Sequence, residues 1–249
     1  MVLKKSLGQH FLTDEKILDQ IIDALKQRNF TQLLEVGPGG GALTKHLLQL
    51  PNIVLKVVEL DDEKVAMLPK TFPQLQGKII HEDFLQITPP FEGRFTIIGN
   101  FPYNISTEIL FKAIDWKDQV EGVIGMFQKE VAQRVAAPAG SKTYGVTSVL
   151  IQAFFDVTYL FDVPPKSFNP PPKVMSGVIQ LSPIKEPLHV KSERAFKVLV
   201  KTAFNQRRKM LRNAVKSLFN QEVLMDAIFD KRAEQLTKED FAKLTFLMA

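Results

Sequence analysis

Gln32-Leu33-Leu34-Glu35-Val36-Gly37-Pro38-Gly39-Gly40-Gly41 is a short apolar run that ends abruptly in a proline and four glycines. The run has the length of a buried strand, and the glycines let the backbone turn tightly beneath a ligand at the strand's carboxyl end. A helical pattern over 41–50 follows. Upstream, Ile17, Leu18, Ile21, Ile22 and Leu25 recur at helical spacing and predict an opening amphipathic helix. Downstream, strand and helix take turns: strand 53–58, helix 62–68, strands 78–81 and 95–99, helix 105–114, strand 122–127, helix 128–137. That alternation defines an α/β protein with a Rossmann-like, doubly wound parallel sheet. Segments 146–157 and 174–181 read as two closing strands.

Pro138, Gly140, Ser141 and Gly145 mark a mobile loop, and Pro183 and Pro187 bracket a linker. Beyond the linker the patterns are helical throughout, with Phe196, Leu199, Val200 and Phe204 on one face. The expected division is a cofactor-binding domain over 1–182 and a small all-helical domain over 189–249.

The chain has 249 residues, 45% hydrophobic and 24% charged, which excludes disorder and a membrane protein. No apolar stretch has signal-peptide or bilayer-spanning length. Without cysteine there is no disulfide framework or thiolate site, and His10, His46, His81 and His189 lack ligand spacing, so no metal is expected. A cytoplasmic location follows. The net charge of +5 is concentrated at one end, because residues 181–249 hold 14 Lys+Arg against 8 Asp+Glu, a net of +6. Such asymmetry points to a polyanionic partner, or to a solvated basic helix face.

Glu59 lies about twenty residues after the glycine turn, where a carboxylate grips both hydroxyls of a ribose. Gly37, Gly39 and Ala42 also satisfy the looser dinucleotide pattern, so this segment alone does not separate NAD from S-adenosylmethionine. Asp83 helps to do so, since a carboxylate after the third strand accepts from an adenine amino group while Phe84 packs on the ring. Asn100-Phe101-Pro102-Tyr103 decides the matter. An amine conjugated to an aromatic ring needs both N–H hydrogens held and the ring kept still while nitrogen attacks a methyl group in line. Pro102 restricts Phe101 to an extended conformation, which aims the Asn100 side-chain oxygen and the Phe101 carbonyl outward as paired acceptors. Tyr103 offers a stacking face. No strong base is needed, because nitrogen becomes acidic once the methyl arrives; acceleration comes from positioning and aimed dipoles. The bland alternative is a strand-to-helix turn with Asn and Pro there for geometry.

With these residues in place the chain resembles the ribosomal RNA adenine dimethyltransferases, in particular the small-subunit enzymes. The likeness rests on Ser6-Leu7-Gly8-Gln9-His10-Phe11-Leu12, residues 35–44, Glu59 with Asp61, residues 82–85, 99–106 and 127–134, Tyr144-Gly145, residues 167–174 and residues 204–213. The resemblance implies a seven-stranded S-adenosylmethionine-dependent methyltransferase domain with a helical C-terminal domain. It also implies methyl transfer to N6 of two adjacent adenosines near the 3′ end of small-subunit (16S) rRNA during assembly. Carried over, His10 and Leu12 close over the cofactor, Gly37 underlies its methionine part, Glu59 holds the ribose and Asp83 the adenine. Asn100 touches both cofactor and target amine. Tyr103 and Phe168 stack on opposite faces of the flipped adenine, though Phe168 also reads as a plug in a proline-stiffened loop.

The family more often has Asn at the place of His10 and Leu at that of Phe101. Protonation of His10 at about pH 6 to 7 predicts cofactor affinity that falls on acidification. Arg207, Arg208, Lys209 and Arg212 set four cations within six residues. On one helix, Arg208 and Arg212 share a face; such a cluster grips phosphates with strong salt dependence and little sequence information. The expected partner is small-subunit rRNA, presented on the small ribosomal subunit or its precursor, and the protein is expected to be a monomer. Three alternatives remain open at this point: a large-subunit rRNA adenine methyltransferase conferring antibiotic resistance, a non-catalytic ribosome-assembly factor and, least favoured, an NAD oxidoreductase.

Overall fold

The structure is a computed structural model that describes residues 10–249. Ser6, Leu7, Gly8 and Gln9 of the opening motif lie outside the described residues. The chain divides into one unit comprising residues 1–132 and 157–183 and a second comprising residues 133–156 and 184–249.

The first unit begins with β1 (Phe11–Leu12) and α1 (Glu15–Lys26). Asp14 caps α1 by accepting from the Lys16 amide, and the apolar stripe from Ile17 to Leu25 is buried as its spacing predicts. Burying each such side chain contributes roughly 1.5–3 kcal/mol. Then come β2 (Gln32–Val36), α2 (Thr44–Leu47), β3 (Val54–Glu59), α3 (Asp62–Thr71), β4 (Ile79–His81), β5 (Phe95–Asn100), α4 (Ser106–Asp115) and β6 (Val120–Gln128). The helix expected over 41–50 is regular only in α2; hydrogen-bonded turns such as Lys45 N–H to Gly41 O (3.1 Å) and Gln49 N–H to His46 O (3.1 Å) make up the rest. After α5 (Lys129–Val135) and α6 (Val146–Gln152), the chain returns through β7 (Phe155–Val163), β8 (Phe168–Asn169) and β9 (Ser176–Pro183).

Seven strands form one sheet in the order β4-β3-β2-β5-β6-β9-β7. Pairs from β4 to β6 are parallel and β9 runs antiparallel to β6, so the sheet is mixed rather than wholly parallel. Strand order reverses between β2 and β5. Successive crossovers leave to opposite sides there, and the carboxyl ends of these two strands open a crevice. The glycine turn follows β2 and Asn100 ends β5, so the topology places both at that crevice. β1 pairs antiparallel with β8, Phe11 opposite Asn169 and Leu12 opposite Phe168.

The second unit contains α6, α7 (Glu193–Asn205), α8 (Leu211–Ala214) and α9 (Lys238–Thr245). Residues 133–156 therefore group with the C-terminal helices, whereas the sequence reading assigned them to the first domain. The physical cause is packing: Tyr144, 2% exposed, sets its ring edge-on to Phe204 at 6.1 Å, and Lys238 donates to the Gln152 carbonyl at 2.8 Å. Residues 146–152 form a helix, not the expected strand. Val146-Thr147-Ser148-Val149-Leu150-Ile151 has strand composition, but the Ser148 hydroxyl accepts from the Gly145 amide (3.0 Å) and donates to the Arg134 carbonyl (2.5 Å), and residues 148–151 are all buried. Tertiary packing overrides propensity here. The loop expected to be mobile is pinned, with Gly140 N–H on Glu234 O at 2.7 Å and Arg207 donating to Lys142 O at 2.5 Å.

Candidate active site

Gly37, Gly39 and Gly41 all have positive φ (69°, 54° and 81°), which carries the chain from β2 under the crevice as only glycine does without strain. The crevice holds a cavity of about 520 Å³, whose lining includes His10, Leu12, Glu35, Gly37, Glu59, Asp83, Asn100 and Tyr103. Every cofactor-binding residue expected from the sequence lines it.

Glu59 is held by backbone. Its Oε1 accepts from the Leu60 and Asp61 amides, both at 2.9 Å, and its Oε2 from Gly39 at 3.2 Å. These bonds lock the carboxylate while leaving lone pairs for two hydroxyls. Asp83 is similarly fixed through Oδ1, which accepts from the Leu85 amide at 2.9 Å. Phe84 lines the same cavity, and its ring meets Trp116 edge-on at 5.3 Å.

At the tip of β5, the Asn100 Nδ2 donates to the His10 backbone carbonyl at 2.9 Å. A carbonyl only accepts, so this bond fixes the amide orientation and leaves Oδ1 as the free acceptor. The Phe101 ring is buried, edge-on to Phe127 at 5.2 Å, in a slot where a Cβ on Gly125 would lie 2.2 Å from it. With its ring inside, Phe101 meets the cavity through its backbone. The Tyr103 hydroxyl bonds the buried Ser176 hydroxyl at 2.5 Å, and its ring lies 5.7 Å from that of His10. His10 donates from Nδ1 to the Pro170 carbonyl at 3.0 Å, because that carbonyl too only accepts. Phe168 is not brought to the cavity. Its ring is 4% exposed and joins the core cluster that contains Leu12, Met126 and Val178, so the structure gives it the place of the plug. Its strand partner Leu12 explains this, since pairing β8 to β1 turns both side chains inward.

Glu35 lies in the strand that leads into the glycine turn, and its sequence position assigns it no role. Fully buried and facing the cavity, its carboxyl is pushed up to about 8 by loss of hydration, with the Glu59 charge adding to the rise and the Thr44 hydroxyl (2.7 Å) opposing it. A buried carboxyl that faces the cavity and whose ionisation burial opposes suits a cationic ligand such as a sulfonium cofactor, which meets the fit that S-adenosylmethionine requires. Because the folded state holds this proton more tightly, the stability it confers is complete below about pH 4.5 and is lost as pH rises through about 8. Cofactor affinity should rise from pH 6 to 9 as Glu35 ionises against the bound cation. Calorimetric titration of Glu35→Gln should give a flattened profile; a profile as steep as that of the wild type would show that Glu35 does not set the dependence.

In the second unit the basic cluster is not one helical face. α7 ends at Asn205, residues 206–210 turn, and α8 begins at Leu211. Arg208 and Arg212 therefore do not share a helix. Arg207 Nε pairs with Glu234 at 2.7 Å and Arg212 pairs with Asp230, while Arg208 and Lys209 are exposed. The missed signal is the acidic pair downstream, whose distance in sequence hides its proximity.

A glycine turn, a carboxylate held by backbone amides and an amide acceptor at the switch point, on this sheet, define a methyltransferase of the Rossmann-like class. The chain belongs to the ribosomal RNA adenine dimethylase family, whose model matches residues 2–248. The ribosomal RNA small subunit methyltransferase A of Cytophaga hutchinsonii is 52% identical over 250 residues, spanning 99% of this chain and 97% of its own. Among solved structures, a dimethyladenosine transferase from Plasmodium falciparum is similar with a TM-score of 0.79 and 26% identity, covering 94% of this chain and 96% of its own. The 23S rRNA methyltransferase ErmE shares the fold at a TM-score of 0.72 and 22% identity, covering 96% and 99%. The protein is thus an S-adenosylmethionine-dependent rRNA adenine dimethyltransferase, as its motifs implied. No helix among the described residues is long and apolar enough to cross a membrane.

Proposed function

We propose that this chain dimethylates N6 of two adjacent adenosines near the 3′ end of small-subunit rRNA, acting as a cytoplasmic monomer on the small subunit or its precursor. The observation that carries the chemistry is the Asn100 amide, whose Oδ1 is left as an acceptor because Nδ2 is tied to His10. Oδ1 and the Phe101 carbonyl hold the two N–H hydrogens of the target amine. Tyr103, steadied by Ser176, stacks on the extruded ring. Glu59 and Asp83 hold the ribose and adenine of S-adenosylmethionine, Gly37 passes beneath its methionine part, and His10 and Leu12 cover it. When bound, that cofactor supplies the electrophilic methyl group. Phe168 stacks on the second face of the base only by leaving its present position in the core.

The relatives support this reading over the large-subunit alternative: a small-subunit enzyme is 52% identical over nearly the whole chain, whereas the likeness to the 23S enzyme, at 22% identity, is one of fold. The direct test incubates the purified protein with labelled S-adenosylmethionine and undermethylated small subunits, followed by mapping of modified bases. Label on two neighbouring adenosines is expected; label elsewhere redirects the substrate.

Among the described residues, Arg208 and Lys209 are the cations of the cluster that phosphates reach without displacing an ion pair. Replacing both with alanine should weaken rRNA binding and reduce its salt slope by about 2. The double variant Arg207→Ala/Arg212→Ala should act chiefly on the stability of the helical unit, as thermal denaturation would register.

A further inference from the structure

Lys64 is a lysine with 2% exposure, in the first turns of α3, just after Glu59. Lysine is almost never buried to this degree unless its ammonium is compensated. The compensation visible here is aromatic: Nζ lies 4.8 Å from the centroid of the Phe11 ring. Asp61, the α3 cap three residues earlier, is buried beside it in sequence at 3% exposure.

Phe11 is more than a lid for that cation. Its ring also packs close to the glycine turn, since a Cβ on Gly39 would stand 3.1 Å from it. The Gly39 amide in turn donates to Glu59. Phe11 also belongs to β1, whose neighbour His10 offers the carbonyl that orients Asn100, and whose pairing to β8 fixes the opposite edge. The segment 10–12 thus crosses the cavity as a strap, and all three of its residues line that cavity. Lys64 lines none of it. We propose that Lys64 is a positioning residue that clamps this strap against the glycine turn through the Phe11 ring, so that its charge sets how tightly the strap covers S-adenosylmethionine. The proposal rests on the cofactor reading given above. A cation drawn out of water onto an aromatic face interacts more strongly than an exposed one, which makes the buried placement of Lys64 suited to this role.

Lys64→Met keeps the volume and removes the charge, and Lys64→Arg keeps a cation that stacks on aromatic faces. S-adenosylmethionine affinity by calorimetry should fall about tenfold in Lys64→Met and stay within about threefold in Lys64→Arg. In steady state the loss should appear in KM for the cofactor with kcat largely kept. Amide exchange of Phe11 and Leu12 in the ligand-free protein should quicken in Lys64→Met while exchange in β2 and β5 does not. Phe11→Leu should reproduce the loss of affinity, and the double variant should add little to either single one. Unchanged strap exchange and unchanged affinity in Lys64→Met overturn the proposal, as does full additivity with Phe11→Leu. If Lys64→Met does not fold, equal affinity of Phe11→Leu and wild type overturns it. A wild-type protein that binds no S-adenosylmethionine refutes the cofactor reading instead, whereas the exchange measurement still decides the clamp.

Discussion

Replacing Asn100 with alanine should lower kcat for methyl transfer by about a thousandfold, the scale on which an aimed hydrogen-bonding group contributes to a transition state. The fall in kcat should exceed the fall in cofactor affinity. Asn100 gives up Nδ2 to the His10 carbonyl at 2.9 Å and leaves Oδ1 as an acceptor, so, with the target amine held as proposed, alanine removes an acceptor that gains strength as the amine nitrogen becomes positive. Asn100→Asp is a sharper variant. Aspartate has no N–H to offer the His10 carbonyl, and two acceptors then face one another; the strap over the cavity should loosen and cofactor KM should rise along with the loss of kcat. Single-turnover assays with saturating S-adenosylmethionine separate the two effects.

The second large effect is on folding. Gly99 sits between β2 and the Phe101 ring, and a Cβ there would fall 2.6 Å from the Val36 carbonyl oxygen and 2.8 Å from that ring. Neither neighbour yields easily, because one is backbone in a central strand and the other is 1% exposed. Gly99→Ala should therefore cost about 3 kcal/mol or more, in the range of severe overpacking. Gly77→Ala provides the contrast. Its φ is +72° but nothing lies within 4 Å of the added carbon, so backbone strain alone should cost about 1 kcal/mol. Denaturant midpoints of the two variants should differ accordingly, at equal m values.

The first unit was legible because its signals are local. Apolar runs marked β2, β3, β5 and β6, and the stripe Ile17 to Leu25 marked α1, since a strand or helix buries a face whose period is written in adjacent residues. The cavity residues His10, Leu12, Gly37, Glu59, Asp83 and Asn100 were legible for a related reason: each sits at or next to a strand end, and the topology brings those ends together. What depended on distant partners was not. Residues 146–152 have strand composition but fold as a helix, with the Ser148 hydroxyl accepting from the Gly145 amide and donating to the Arg134 carbonyl, and with burial in the helical unit. Glu234 and Asp230 neutralise Arg207 and Arg212 from across the chain. Phe168 is drawn into the core by pairing β8 with β1, a contact spanning most of the sequence. Lys64 carries no motif at all; its burial against Phe11 appears only in three dimensions.

The most direct test of the account is a crystal structure with S-adenosylmethionine bound. One hydrogen bond donated by the target N–H to Asn100 Oδ1 and one near-attack contact from that nitrogen to carbon put the reactive methyl within roughly 6 Å of Oδ1, facing the notch it forms with the Phe101 carbonyl. A methyl group pointing away from the tip of β5, or lying well beyond that distance, would contradict the assignment of this strand end as the place where the amine is methylated.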